Sequence, residues 1–118
     1  MEAEAYPSLP LAATMKDTIA PLAEMSGTVP IVDDEGVVAG VITAGDLTRL
    51  MERDEGFLHR GVREVMTHQP RTVSPDELGA VAASRMEAHG IMALPVVSDD
   101  GRLQGMVHLH DLMRAGAV

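Results

Sequence analysis

The chain has 118 residues, a formal charge of −9, no cysteine and only two aromatic residues, Tyr6 and Phe57. This composition excludes disulfides and thiolate metal sites, and the lack of clustered Lys, Arg and aromatic side chains argues against a nucleic-acid partner. No apolar run approaches the roughly 20 residues that a membrane span needs, and the acidic N-terminus does not resemble a secretory signal. We therefore expect a cytoplasmic protein without a membrane partner, formed by one domain or by two small halves that share a core.

The first 28 residues predict a tail, an edge strand and a helix. Residues 1–8 are expected to be a flexible polar tail, and Leu9-Pro-Leu11 is expected to be a short edge strand, where proline is tolerated. Thr14 and Asp17 predict the start of a helix. Pro21 should kink or split that helix. Its apolar stripe has a period of 3.6 residues and consists of Met15, Ile19, Leu22 and Met25.

A β-hairpin and a second helix are predicted next. The strands are Val29 to Asp33 and Val37 to Thr43, and Asp33-Asp-Glu-Gly36 supplies the turn between them. A helix is expected from Asp46 to about Arg53, and Asp54-Glu-Gly56 should end it.

The second half predicts the same order of elements. Residues 57–70 should link the halves through one helical turn, and Arg71-Thr-Val73 should form a short strand. Ser74, Pro75 and Glu77 form a capping box that should begin a helix. This helix should end at about His89, before Gly90, and its apolar residues are Leu78, Val81, Ala82 and Met86. Strands are expected at 93–98 and 103–108, and a last helix from about Asp111 to Ala115.

The two halves are copies of one unit. A shift of 65 positions gives eight identities across the 21 positions from Val29 to Arg49, without a gap. The expected class is α/β (α+β), with two β-α-β-β-α repeats packed with pseudo-two-fold symmetry: a tail at 1–8, repeat 1 at 9–56, a linker at 57–70 and repeat 2 at 71–118.

These residues resemble a known family. A Val/Leu-Pro-Val-Val strand, a glycine hairpin, Gly-x-x-Thr-x-x-Asp and a closing helix, all occurring twice, are similar to a tandem pair of cystathionine-β-synthase (CBS) domains over about residues 9–116. Glu64-Val-Met-Thr67, Met92-Ala-Leu-Pro-Val-Val97 and the run from Gly105 to Gly116 resemble the C-terminal regulatory module of KpsF/GutQ-like isomerases that make arabinose 5-phosphate. The catalytic domain of such an isomerase would lie upstream, so we expect this chain to be either a cut-out regulatory module or a free-standing relative.

The resemblance implies two nucleotide sites, each formed by residues of both repeats. A strand that turns into a helix can direct N–H groups at a phosphate, a threonine hydroxyl can donate to it, and an aspartate can accept from ribose hydroxyls. The implied first site consists of Gly40, Ile42, Thr43, Asp46, Thr72, Val73, Met92, Ala93 and Pro95. The implied second site consists of Leu11, Thr28, Pro30, His108 and Asp111.

The second site departs from the family pattern. His108 stands where threonine or serine is expected, and Gly27-Thr-Val-Pro30 is two residues shorter than Gly90-Ile-Met-Ala-Leu-Pro95. Ala44 also stands where the isomerase subgroup commonly has an acidic residue. Arg49, Arg71 and Arg114 are candidates for neutralising ligand charge, or are solvated surface groups.

Simpler roles compete with ligand binding. Asp46 and Asp111 could be helix N-caps, and Met25, Met86 and Met92 are expected to be core filler rather than a redox or metal feature. His108 and His110 form a His-x-His pattern that a strand would direct to one face, but no third metal ligand is evident, so we expect no metal site. Protonated His108 could instead contact a phosphate.

The leading functional hypothesis is a non-catalytic regulatory module that requires no cofactor. It would bind AMP, ATP, another adenosyl nucleotide or a cytidine nucleotide-sugar, and would modulate an attached or associated sugar-phosphate isomerase. The alternative is a structural module that dimerises through its helical faces without a ligand. An enzyme is disfavoured because no nucleophile arrangement or anchored metal set is present.

Overall fold

The computed structural model describes residues 7–114 and 116, which divide into two compact units at Pro70/Arg71. Both units mix strands and helices, so the predicted α/β class is confirmed. The first unit contains β1 (Leu9–Pro10), α1 (Ile19–Glu24), β2 (Thr28–Val32), β3 (Val38–Thr43), α2 (Ala44–Arg53), α3 (Val62–Val65) and β4 (Thr67–His68). The second unit contains α4 (Ala80–His89), β5 (Ala93–Val97), β6 (Leu103–His108) and α5 (Leu109–Arg114).

The sheet of the first unit has the strand order β1-β2-β3-β4. β1 lies at the edge and runs parallel to β2, while β2 and β3 form the predicted antiparallel hairpin. The turn is fixed by Asp33, whose Oδ1 accepts hydrogen bonds from the N–H groups of Glu35 at 2.8 Å and Val37 at 3.0 Å. Gly36 completes the turn with a φ of 85°, a conformation that glycine adopts without a steric cost.

The fourth strand, β4, was not predicted. It pairs antiparallel with β3, so that Gly40 lies opposite His68. An added Cβ at Gly40 would lie 2.5 Å from Met66 Sδ and 2.7 Å from the Thr67 carbonyl oxygen, so this close approach requires glycine. Residues 57–70, expected to be a linker, therefore pack onto the first unit, where Val62 and Met66 are buried in the core.

The first helical region is split, as Pro21 led us to expect. The Thr14–Asp17 capping box is present, with Thr14 N–H donating to Asp17 Oδ2 at 2.9 Å, and it starts a 3₁₀ turn that α1 continues. Pro21 lies in the first turn of α1, where N–H groups have no intrahelical partner and a missing donor costs little. The placement of Ile19 on the buried stripe was wrong: it is 45% exposed, because a 3₁₀ turn advances by three residues and shifts the helical register.

The helix predicted from Ser74 to His89 is interrupted. The Ser74 capping box is present, but it starts only a 3₁₀ turn over Pro75–Glu77, and Gly79, with a φ of 83°, separates this turn from α4. As a result, Leu78 and Val81 are exposed, whereas Ala82 and Met86 are buried. The predicted end at Gly90 is confirmed, since Gly90 adopts the left-handed conformation.

The hairpin of the second unit follows the prediction closely. β5 and β6 pair antiparallel, with Ala93 opposite His108. The strand expected at Arg71–Val73 is reduced to one parallel bridge between Val73 and Val96. Helix α5 begins two residues before Asp111, and Ala115, its predicted end, lies outside the described residues, as do residues 1–6 of the predicted tail.

Each unit has its own core, in which the methionines play different roles. Met86 is fully buried in the second core, and Met25 packs against the first. The prediction that Met92 is core filler was wrong, because its side chain is 63% exposed. None of the helices within residues 7–114 is long and apolar enough to cross a membrane.

Candidate functional site

The start of α2 is built around a reciprocal pair of hydrogen bonds. Thr43 is the N-cap, and its Oγ1 accepts from Asp46 N–H at 3.1 Å, while Thr43 N–H donates to Asp46 Oδ2 at 2.9 Å. Asp46 is therefore the third helical residue rather than the N-cap. Its Oδ1 accepts from Arg49 Nη2 at 2.8 Å, and its side chain is 15% exposed.

This arrangement leaves specific groups for a ligand. The Thr43 hydroxyl hydrogen donates to no other described residue, and each carboxylate oxygen of Asp46 can accept a further hydrogen bond. Fewer backbone donors are left than the motif alone implied, because Ala44 N–H already donates to the Gly27 carbonyl at 2.9 Å. Gly45 N–H and the Thr43 hydroxyl are donors of this turn that remain for an anion, and Arg49 Nη1 lies beside Gly45, 3.3 Å from the position of an added Cβ.

The other two predicted first-site residues of this unit have structural roles. The Ile42 side chain is fully buried in the first core. Gly40 is buried against Met66 and Thr67 and permits the approach of β4. Neither side-chain position faces solvent, so neither residue offers a side chain to a ligand.

The first-site residues predicted in the second unit are of two kinds. Val73 and Pro95 are buried, and they are joined by the hydrogen bond from Val73 N–H to the Pro95 carbonyl at 3.0 Å. Met92 is exposed, and its carbonyl accepts from Leu109 N–H at 2.9 Å. Ala93 is partly buried beside it, and the carbonyl of Thr72 accepts from Arg85 Nη1 at 2.7 Å. Met92 is thus the most accessible side chain of this group.

The second predicted site is less well formed at its helix start. His108 and Asp111 occupy the positions equivalent to Thr43 and Asp46, but His108 Nδ1 lies 3.8 Å from Asp111 Oδ2 and makes no reciprocal cap. The Nε2 atom of His108 is buried and lacks a hydrogen-bond partner among the described residues. His108 therefore does not reproduce the hydrogen bonds that Thr43 makes.

The first-unit members of the second site are mostly covered. Pro30 is fully buried, and Leu11 packs against the first core. Thr28 lies directly opposite Thr43 in the β2–β3 pair, as Ala93 lies opposite His108 in the β5–β6 pair. In each repeat, a residue predicted for one site is therefore the strand neighbour of a residue predicted for the other.

The His-x-His interpretation was wrong about the backbone. His108 ends β6, but His110 lies in α5, so the two side chains do not share one face of a strand. Within residues 7–114, no group of three or more His, Asp and Glu residues is arranged to hold a metal ion.

A charged cleft that the sequence did not predict begins at Asp46. It has a volume of about 470 Å³ and lies between α2 and the segment that contains α3. Its lining consists of Asp46, Arg49, Leu50, Arg53, Asp54, Arg60, Glu64 and Val65. The spacing of Asp46, Arg49 and Arg53 on one face of α2 was readable from the sequence, but the placement of Arg60 was not, because residues 57–70 were taken as a linker.

The charged side chains at one end of this cleft form ion pairs with one another. Arg60 donates through Nε to Asp54 and through Nη1 to Glu64 Oε1 at 3.2 Å. The hydrogen bond from Arg60, followed by that from Gly56 N–H, lowers the pKa of Asp54, and the bond to Asp54 raises the pKa of Arg60. Both groups stay charged at neutral pH.

Comparison with known proteins identifies the family. The family model for the CBS domain matches residues 5–53 and 62–118. The chain belongs to the CBS domain family. The two CBS matches correspond to the two repeats seen in the sequence, so the predicted tandem CBS pair is confirmed.

Curated relatives match through this CBS region. The chain is 38% identical over 92 residues to arabinose 5-phosphate isomerase KdsD of Pseudomonas aeruginosa, covering 78% of this chain and 28% of that protein. It is 35% identical over 107 residues to KdsD of Yersinia pestis, covering 90% of this chain and 32% of that protein. The CBS pair thus spans about a third or less of these isomerases. The predicted resemblance to the arabinose-5-phosphate isomerase subgroup is confirmed.

Solved structures of CBS pairs share the fold. The CBS domain pair of protein MJ0100, in complex with 5′-methylthioadenosine and S-adenosyl-L-methionine, matches with a TM-score of 0.82 and 25% identity, covering 96% of this chain and 93% of that chain. The CBS domain protein PAE2072 of Pyrobaculum aerophilum, complexed with AMP, matches with a TM-score of 0.78 and 24% identity over 92% of this chain and 83% of that chain. The second comparison shows the fold alone.

Proposed function

We propose that this CBS pair is a regulatory module that binds an adenosyl nucleotide, or a cytidine nucleotide-sugar, at the Thr43–Asp46 turn. The observation that carries the proposal is the geometry of this turn, where Asp46 is held by Thr43 and Arg49 yet keeps acceptor capacity. The similar CBS pair of MJ0100 is complexed with two adenosyl compounds, which supports the same ligand class here.

The proposed ligand contacts divide by chemistry. Asp46 would accept hydrogen bonds from the two ribose hydroxyls, and the Thr43 hydroxyl would donate to a phosphate. From the second repeat, Thr72, Met92 and Ala93 would contact the base, as the family resemblance implies. The weaker second site, at His108 and Asp111, lacks the reciprocal cap and is proposed to bind the same ligand less tightly.

Binding would act by stabilising one conformation of the pair. A ligand at 100 times its dissociation constant stabilises the state that binds it by about 2.7 kcal/mol, which is enough to bias an attached or associated protein. The isomerase relatives suggest a sugar-phosphate isomerase as the regulated enzyme. The module itself is proposed to be non-catalytic, so the isolated chain should not turn over ribulose 5-phosphate.

A thermal-shift screen tests the proposal. AMP, ATP, CMP, CMP-sugars and S-adenosylmethionine are each added to the purified chain, and at least one should raise the melting temperature in a concentration-dependent manner. In Asp46→Ala that ligand-induced rise should disappear. A melting temperature that no compound changes, or an equal rise in Asp46→Ala, would contradict the assignment.

A second candidate function is assembly, which we infer from exposed apolar side chains on the helices. Ile19 on α1, Met51 on α2, Val81 on α4 and Met113 on α5 are all about half exposed. A homodimer that forms through these helical faces would remove such side chains from water. Sedimentation should then show a dimer with or without nucleotide, and a monomer at all concentrations would exclude this candidate.

A further inference from the structure

Three guanidinium groups follow Asp46 along the charged cleft. Arg49 and Arg53 lie on the same face of α2 as Asp46, and Arg60 lies across the cleft from them. Because a helix rises 1.5 Å per residue, the row from Asp46 to Arg53 is about 10 Å long. A ligand whose ribose is held at Asp46 would therefore find arginines along the rest of the cleft.

The cleft has spare hydrogen-bond donors, although its formal charges cancel. A guanidinium has five N–H donors. Arg49 uses one of them on Asp46, and Arg60 uses one on Asp54 and one on Glu64. Arg53 makes no side-chain hydrogen bond to a described residue. The side chains of Arg49 and Arg60 are 68% and 51% exposed, so their remaining donors are open to a ligand.

The carboxylates of the cleft are already engaged. Asp46 accepts from Thr43 N–H and Arg49, and Asp54 accepts from Gly56 N–H and Arg60. Their negative charge is thus shared with fixed donors and is partly neutralised. Beyond the acceptor capacity that Asp46 keeps for ribose hydroxyls, the cleft offers a set of arginine forks, whose planar geometry matches phosphate oxygens.

We propose that this cleft binds the phosphate chain of a nucleoside diphosphate or triphosphate whose ribose lies at Asp46. This inference rests on the proposed function and narrows its ligand class: the preferred ligand carries two or three phosphates, rather than none or one. A single phosphate would reach the Thr43 turn, whereas a longer chain would extend towards Arg53 and Arg60.

The same arrangement is not repeated in the second half of the sequence. A shift of 65 positions places Arg114 at the position of Arg49, but the counterpart of Arg53 is Val118. The preference for a phosphate chain should therefore belong to the first site only.

Titration calorimetry with ligands of increasing phosphate number tests the inference. The chain is titrated, in the presence of EDTA, with adenosine and its mono-, di- and triphosphate, with cytidine and its mono-, di- and triphosphate, and with inorganic tripolyphosphate. For one of the two bases, affinity should rise about tenfold or more from monophosphate to triphosphate, since charge-assisted hydrogen bonds from the arginines to the second and third phosphates are added.

Arg53→Gln and Arg63→Gln form a matched pair of variants. Both replace an exposed arginine by a residue of similar helix propensity, but Arg63 does not line the cleft. Arg53→Gln should weaken triphosphate binding about fivefold and leave nucleoside binding unchanged. Arg63→Gln should change neither. Glu64→Gln removes a negative charge beside Arg60 and should strengthen triphosphate binding about twofold.

Results that overturn the inference can be distinguished from results that also overturn the proposed function. A triphosphate affinity no higher than that for the monophosphate, or an equal loss of nucleoside and triphosphate binding in Arg53→Gln, overturns the inference and leaves the proposed function standing. An equal loss of triphosphate binding in Arg53→Gln and Arg63→Gln also overturns it, because general electrostatic attraction would then explain the effect. Absence of binding by every nucleoside and nucleotide overturns the inference, and if CMP-sugars and S-adenosylmethionine also fail to bind, the proposed function is overturned with it.

Discussion

Gly40 offers the most direct test of the packing in the first unit. An alanine Cβ at this position would lie 2.5 Å from Met66 Sδ, 2.8 Å from Met66 Cγ and 2.7 Å from the Thr67 carbonyl oxygen. The methionine side chain can move, but the carbonyl belongs to β4 and can retreat only if the β3–β4 pairing opens. The equivalent glycine in the second repeat, Gly105, has no atom within 4 Å of such a Cβ.

These two environments predict opposite effects of the same substitution. Overpacking a filled site typically costs about 1–3 kcal/mol, so Gly40→Ala should lower the free energy of unfolding of the first unit by that amount. In Gly105→Ala, the less flexible alanine should raise it for the second unit by up to about 1 kcal/mol, because glycine in a strand loses more conformational entropy on folding.

Urea unfolding of both variants, combined with amide hydrogen exchange, measures the difference. In Gly40→Ala the amides of Thr67 and His68 should exchange faster, because the strand that the added methyl group displaces is β4. If Gly40→Ala unfolds at the wild-type urea concentration, or if Gly105→Ala is destabilised as much as Gly40→Ala, the role assigned to the close approach of β4 is refuted.

Two further predictions concern the second unit. Met86→Ala should lower the free energy of unfolding by about 2–5 kcal/mol, because Met86 is fully buried. Met92→Ala should change it by less than about 0.5 kcal/mol, because Met92 is exposed. Equal effects of the two substitutions in chemical denaturation would contradict the difference in burial. Arg85, and after it Ser74 N–H, lowers the pKa of Glu77 below its usual 4.5, so this carboxylate stabilises the fold above that value and the contribution is lost as pH falls through the folded-state pKa. Glu77→Gln should therefore be less stable than wild type near pH 7, and this deficit should shrink as pH falls below 4.5. A deficit that stays the same size as pH falls would show that the charge is not responsible.

Local patterns in the sequence were sufficient for the hairpins and the helix starts. The apolar runs around Asp33–Gly36 and Asp99–Gly101 predicted β2–β3 and β5–β6 to within one residue. The capping boxes at Thr14 and Ser74 were also correct, because the hydrogen bonds that form them join residues only three positions apart.

Features that depend on tertiary contacts could not be predicted from the sequence. β4 consists of two exposed residues, and its pairing depends on the absence of a side chain at Gly40. The alternation of apolar and polar residues in the sequence does not indicate such a close approach. Gly79 lies inside an apolar pattern that continues across it, so the break before α4 was visible only from its positive φ.

The candidate site was predicted in part for the same reason. Sequence spacing led to Thr43 and Asp46 and to the unequal status of His108. The charged cleft requires Arg60 to fold back onto α2, a contact that the composition of residues 57–70 did not indicate.

The central claim, that a nucleotide binds at Asp46, is tested most directly by the affinity of Asp46→Ala measured by calorimetry. Asp17→Ala is the matched control, since it removes the equivalent carboxylate of the Thr14–Asp17 capping box. Neither Thr14 nor Asp17 belongs to the proposed first site. The best ligand of the thermal-shift screen should bind Asp17→Ala as it binds wild type and should bind Asp46→Ala at least about tenfold more weakly, because a carboxylate that accepts from ribose hydroxyls is lost. Equal affinity for wild type, Asp17→Ala and Asp46→Ala would contradict the claim.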